Sequence, residues 1–136
     1  MLWEYRFAEA ERVFVEGVAL SRRIMGPDHR TTLGAMEKLA SSEERQGRPA
    51  EAETLLREVL ERAERAHGPD DLATIAPMTT LGVTLHQQRR YAEAETILLR
   101  AAALYQRVVG ADHLNTMKTL EHLGNTYSKE GALGLT

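Results

Sequence analysis

The 136-residue chain carries 17 basic and 20 acidic residues for a formal net charge of −3, with 43% hydrophobic and only 5% aromatic residues. So weak a field excludes nucleic acid as the main partner, because neutralising phosphates takes a concentrated basic surface. Cysteine is absent, which excludes disulfides, thiolate zinc sites and a cysteine nucleophile.

The first amphipathic pattern runs from about Phe7 to Met25, with Ala10, Val13, Phe14, Gly17 and Val18 on one face. Gly26 sits just past it, where a left-handed cap favours glycine, and Asp28 is expected to accept bonds from the free amides of the next helix. That second pattern carries Leu33, Met36, Leu39 and Ala40, and only Gly47-Arg48 separates it from a third, which opens on the first-turn residue Pro49. The third holds Ala52, Leu55, Leu56, Val59 and Leu60 and ends before Gly68 and Asp70. A fourth starts near Leu72 with Ile75, Met78, Leu81, Gly82 and Leu85; Pro77 inside it removes one backbone hydrogen bond and predicts a kink. After Arg89-Arg90 comes a fifth with Ala94, Ile97, Leu98, Ala101 and Ala102. Past Gly110 and Asp112, a sixth carries Met117, Leu120, Leu123, Gly124 and Tyr127. Links as short as Gly47-Arg48 force neighbouring helices to pack antiparallel.

The six patterns are three copies of one unit. Ala-Glu-Ala-Glu at 8–11, 50–53 and 92–95 recurs every 42 residues, as do Gly26/Gly68/Gly110, Asp28/Asp70/Asp112, Thr32/Thr74/Thr116 and Leu39/Leu81/Leu123. Small residues at Ala10, Ala52 and Ala94, and at Ala40, Gly82 and Gly124, mark expected close approaches of two helices. Three copies of a helix pair stack as a solenoid, each packing only on its neighbours.

Three motifs carry a family resemblance: Leu123-Gly124-Asn125-Thr126-Tyr127-Ser128-Lys129-Glu130-Gly131, Arg90-Tyr91-Ala92-Glu93-Ala94-Glu95 and Gly26-Pro27-Asp28-His29. Together they resemble the tetratricopeptide repeat, in the 42-residue variety of kinesin light chains, over roughly residues 5–131. The resemblance implies an all-α, right-handed α-solenoid of about six antiparallel helices, with periods at about 5–46, 47–88 and 89–130 and a tail at 132–136. Glu43 departs from the pattern where Leu85 and Tyr127 keep it, and Arg89 replaces a loop glycine.

The resemblance further implies a concave groove for an extended or helical peptide. Carried over position by position, it consists of Lys38, Ser41 and Arg45, then Thr80, Val83, His86 and Gln87, then Lys118, His122, Asn125 and Lys129, with Glu37, Glu44, Thr79, Glu121 and Ser128 beside them. Only Asn125 and Lys129 match the carboxylate clamp of some relatives, so a mixed polar groove for a peptide with acidic side chains is expected. The competing reading is that these polar side chains are simply solvated.

No other constellation points to chemistry. His29 and His113 are repeat equivalents, His67 ends a helix, and only His86 and His122 share the inferred groove. None has an i,i+4 histidine partner of the kind a metal site uses. The glutamates of Ala-Glu-Ala-Glu stand two apart on a helix and face different ways. No phosphate-binding glycine loop or nucleophile–base set is present, so neither an enzyme nor a cofactor is expected. Trp3, Tyr5 and Phe7 are expected to cover an open apolar end. No run approaches the roughly 18 apolar residues of a membrane span, and the N-terminus has no signal-peptide core, so a cytoplasmic protein without a membrane partner is expected. Ala-Glu-Ala-Glu does not recur where Gly131-Ala-Leu-Gly-Leu-Thr136 stands. The expectation is therefore a protein-binding scaffold, a segment of a larger signalling or adaptor protein; the alternative is a self-assembly module stacking through its uncapped ends.

Overall fold

A computed structural model describes residues 2–134, with side chains from Arg6 onward. It holds six helices: α1 (Leu2–Met25), α2 (Arg30–Arg45), α3 (Pro49–His67), α4 (Leu72–Gln87), α5 (Tyr91–Val108) and α6 (Leu114–Ala132). Trp3 and Tyr5, expected to cover an apolar end, have side chains outside the described residues.

The loop between each odd helix and the next even one is built three times from the same parts. Gly26, Gly68 and Gly110 take φ of 97°, 91° and 97°, a region open to glycine and strained for other residues. Six residues on, the buried hydroxyls of Thr32, Thr74 and Thr116 donate to those glycine carbonyls at 2.7, 2.7 and 2.8 Å. The glycine and threonine landmarks are thus one device: the turn leaves a carbonyl inward, and the threonine satisfies it.

The helix caps correct the sequence expectation by one residue. His29, Asp71 and His113 hold the extended N-cap position, not Asp28, Asp70 and Asp112. His29 Nδ1 accepts from Thr31 N, His113 Nδ1 from Asn115 N, and Asp71 Oδ1 from Ala73 N. The turn after each left-handed glycine delays the change to helical backbone by one position, whether proline or, after Gly110, alanine follows. Asp28 pairs instead with Arg62 and Asp70 with Arg107. Asp71 also takes the Arg30 guanidinium, which with the capped amide holds its carboxyl down at about 2.

The short links behave differently. Gly47 and Arg89 both adopt positive φ, 80° and 62°, and Arg89 is the one described non-glycine residue to do so. Pro49 stands in the first turn of α3, where its missing amide leaves no bond unmade. Pro77 lies buried inside α4, which nonetheless runs unbroken from Leu72 to Gln87. Packing on both sides carries the helix past the lost bond.

Successive helices pack antiparallel, and the core is a chain of three clusters rather than one centre. Leu33, Met36, Val59 and Ala63 join α2 to α3. Ala40, Ala52, Leu56, Leu81, Leu85, Ala94, Leu98 and Leu123 run through the middle. Ile75, Met78, Ala101, Leu104 and Tyr105 join α4 to α5. Fully burying each large side chain contributes roughly 1.5–3 kcal/mol. Gly82 is where the expected close approach is tightest, directly under Leu98. The same expectation fails at Gly124, which has open space around it because no described helix lies over that part of α6.

Contacts beyond nearest neighbours define the curvature. α2 touches α4 and α4 touches α6, whereas α1, α3 and α5 do not approach one another. The even helices therefore line the inner, concave side. Short side chains bridge there: Thr79 and Thr119 meet hydroxyl to hydroxyl at 2.9 Å. On the outer side the gaps are spanned by long pairs, Arg90–Glu53 at 2.6 Å and Arg100–Glu64 at 3.4 Å among them.

Candidate functional site: the concave face

The groove is assembled from equivalent turns of α2, α4 and α6. Its deepest part, a cavity of about 190 Å³, is lined by Val83, His86, Gln87, His122, Asn125 and Thr126, with Leu98 as an apolar floor. Ser41, Arg45, Thr80, Val83 and His122 line the adjoining stretch. Nearer the start of α6, Arg45, Thr80, Lys118 and His122 converge with Glu37, Tyr105 and Thr119 around a cavity of about 370 Å³.

Nine of the eleven sequence-inferred groove residues therefore border this connected surface. Lys38 does not; it opens instead with Ser41, Ser42 and Arg45 onto a cavity against Phe7, Ala10 and Phe14 of α1. Lys129 lines none of the cavities but lies near enough to His86 to disfavour its protonation. Tyr105, Asn115, Thr119 and Thr126 belong to the face and were not anticipated. The signal for two of them is a near-period spacing: Thr79–Thr119 and His86–Thr126 stand 40 residues apart.

Hydrogen bonds between helices fix the floor. His86 Nδ1 lies 2.9 Å from Thr126 Oγ1, and its ring meets Tyr91 edge-on at 5.2 Å. Thr80 Oγ1 donates to Glu37 at 3.1 Å, and the Gln87 amide donates to Glu44. Burial raises both carboxyls above their usual range, offset in part by the Thr80 bond and then Lys38 at Glu37, and by Arg45 and then the Gln87 bond at Glu44. Burial likewise pushes the Tyr105 hydroxyl up to about 12, with Glu37 adding to the shift. The same desolvation lowers His86, reinforced by Lys129 and His122, and lowers His122, reinforced by Lys118 and opposed by Glu121. At neutral pH the two imidazoles are uncharged donors and acceptors.

The balance of charge on this face is uneven. Its acids Glu37 and Glu44 are engaged by Thr80 and Gln87, and only Glu121 stands exposed. The cations Arg45, Lys118 and Lys129 are all exposed, and among the described residues neither they nor Lys38, at the α1 end, make an ion pair. Elsewhere arginines pair readily: Arg30, Arg48, Arg57, Arg62, Arg65, Arg90, Arg100 and Arg107 each meet a carboxylate. His86 and His122 do converge, yet no group of three metal-ligating side chains exists among the described residues.

Models of the tetratricopeptide repeat match residues 31–101 and 79–134, and another matches residues 3–31. The chain belongs to the tetratricopeptide-repeat family. Among solved structures, BtubC (BKLC) from P. vanneervenii superposes with a TM-score of 0.80 at 20% identity, covering 93% of this chain and 50% of that one. A Podosopora anserina protein of nearly identical, kinesin-light-chain-type TPR-like repeats gives 0.82 at 19% identity, covering 95% and 61%, and a single-residue variant of it gives the same values. The tetratricopeptide chain thus shares its fold with kinesin-light-chain-type repeats and spans about half to three fifths of those chains. No curated protein matches it. Repeats of this family mediate protein–protein interaction or assembly and are in general non-enzymatic scaffolds. No described helix is long and apolar enough to cross a membrane.

Proposed function

We propose that this chain is a protein-interaction scaffold whose concave face takes an extended or helical partner segment bearing acidic side chains. The observation that carries the reading is the charge asymmetry of the face: Arg45, Lys118 and Lys129 are exposed and make no ion pair among the described residues, while Glu37 and Glu44 are already held by Thr80 and Gln87. A partner carboxylate meeting one of these cations displaces no existing ion pair. The uncharged donors of His86, His122 and Asn125 around the deeper cavity suit backbone or amide groups of the same segment. Leu98 and Val83 offer an apolar floor for one side chain.

The reading extends to a cytoplasmic role within a larger adaptor or signalling protein. Its support is that similar solved chains continue beyond the stretch this one matches. Fluorescence anisotropy tests the groove reading with a labelled peptide of alternating Glu and Leu against one of alternating Lys and Leu. Preferential binding of the acidic peptide, weakening as salt screens the charges, is expected. Equal binding of both, or preference for the basic one, contradicts it.

A further inference from the structure

The gap between α4 and α6 repeats the gap between α2 and α4 with its charges exchanged. In the earlier gap two side-chain pairs bridge the concave face: Thr80 donates to Glu37 at 3.1 Å, and Gln87 donates to Glu44. Forty-two residues on, the acid positions hold Thr79 and His86, and the donor positions hold His122 and Lys129. Both carboxylates are gone, and two basic side chains stand where neutral donors stood.

In place of those bridges the gap holds a cavity. Thr79 turns to Thr119 and His86 to Thr126, each at 2.9 Å. Both imidazoles line the space of about 190 Å³, with Asn125 beside them and Leu98 beneath. The Thr126 hydroxyl donates to His122 O at 3.1 Å, so it accepts from His86 Nδ1, which carries the one N–H of the neutral ring. Protonation adds a second N–H and a positive charge.

The groups facing the two rings come from every helix packed around them. On α2, Glu37 and Glu44 are already engaged by Thr80 and Gln87, and Arg45 lines the same stretch as His122. From α5, Tyr91 meets His86 edge-on, and Tyr105 lines the cavity that His122 shares with Lys118. Burial comes first in holding both rings neutral. Lys129 and then His122 act the same way on His86; at His122, Glu121 opposes and Lys118 adds. Glu121 is exposed, so the protein itself offers these rings no buried counter-ion.

On the acidic-partner reading of the groove, on which this rests, we propose that one partner carboxylate seats between α4 and α6 against His86 and His122 and that binding draws a proton onto these rings. An entering carboxylate supplies the anion that this gap lacks, and a nearby anion favours the imidazolium. Each ring is therefore easier to protonate in the complex than in the free chain. Affinity for an acidic segment rises as pH falls through the bound value and levels off below the free one, by about tenfold for each pH unit between them. The groove thus grips acidic segments more tightly in mildly acidic surroundings.

Fluorescence anisotropy with the labelled Glu-Leu peptide, from about pH 7.5 down to about pH 5.5, reads this directly, and a Gln-Leu peptide serves as the uncharged control. The acidic peptide is expected to bind roughly tenfold or more tighter at the acid end, and the control to show no such gain. The His86→Gln, His122→Gln double variant is expected to lose the slope, whatever its affinity at the neutral end. Calorimetric titration of wild-type protein near about pH 6.5, in buffers of low and high protonation enthalpy, is expected to show net proton uptake on binding, a result that needs no variant. A flat profile with the acidic peptide still bound, an equal gain for the control, a slope kept by the double variant, or no proton uptake overturns the proposal while the acidic-partner reading stands. An acidic peptide that binds at none of these pH values overturns both.

Discussion

The Leu98 side chain lies so close over Gly82 that a Cβ at that glycine would stand 2.5 Å from Leu98 Cγ and Cδ2. Leu98 is fully buried between α4 and α6, so its side chain has to shift to admit a methyl group there. Gly82→Ala is expected to destabilise the fold by ~1–3 kcal/mol through overpacking. Gly124→Ala, one repeat later, meets nothing within 4 Å and should stabilise α6 by roughly 0.5–1 kcal/mol through helix propensity. Urea unfolding of the two variants measures both; equal effects would show that the repeat positions are equivalent in packing as well as in register.

Arg89 holds a left-handed conformation that its counterpart Gly47 adopts without strain. Arg89→Gly is expected to stabilise by up to ~1 kcal/mol, the relief being partly offset by the greater freedom of glycine in the unfolded chain. A higher urea midpoint at unchanged slope is the expected outcome.

Glu130 replaces a glutamine. At the equivalent position in the preceding repeat, Gln88 donates to Glu53 at 2.9 Å, so Glu130 faces Glu95 as one carboxyl against another. Its Oε1 is buried without a hydrogen-bond partner among the described residues. Desolvation, and then Glu95, raise the Glu130 carboxyl above its usual range, with Tyr127 alongside and Arg89, Arg90 and Glu93 around the adjoining cavity. A raised folded value means the fold prefers the protonated acid, so this contribution is present at low pH and lost as pH rises through that value. Glu130→Gln should melt higher than wild type at neutral pH, with the difference shrinking on acidification; a constant difference would remove the titration from the explanation.

His86 and His122 titrate in the opposite sense. Burial depresses both below the ordinary 6.5, so the fold prefers them neutral. Their contribution is complete above that ordinary value and declines as pH falls below it. Stability measured between neutral pH and pH 5 should fall more steeply in wild type than in the His86→Gln, His122→Gln double variant. Parallel curves would count against this origin.

The solenoid was legible because its landmarks answer to local chemistry repeated three times. Gly26, Gly68 and Gly110 are required by backbone angle, and Thr32, Thr74 and Thr116 by the carbonyl each glycine leaves inward. The caps were misplaced by one residue because Asp28 is the better acceptor by type, while backbone direction gives the position to His29. Spacing along α2, α4 and α6 fixes which side chains share a face of each helix, and nine of the eleven residues so chosen border cavities on the concave side. Tyr105 was not legible, because it reaches the groove from α5, and helix spacing says nothing of how far a side chain reaches past a neighbouring helix. Lys38 was assigned to the groove by register but opens toward α1.

Asn125 and Lys129 offer the cleanest loss-of-contact variant on the face. Asn125→Ala with Lys129→Ala is expected to weaken an acidic peptide by ~1–3 kcal/mol while leaving the melting temperature close to wild type. Unchanged affinity would move the peptide away from this end of α6.

The groove assignment is tested most directly by backbone amide chemical-shift mapping while the acidic peptide is titrated into the protein. The account predicts that the largest shifts fall at Ser41, Arg45, Thr80, Val83, His122 and Asn125, on α2, α4 and α6. Saturable shifts confined to α1, α3 and α5 would contradict it, placing the partner on the convex side.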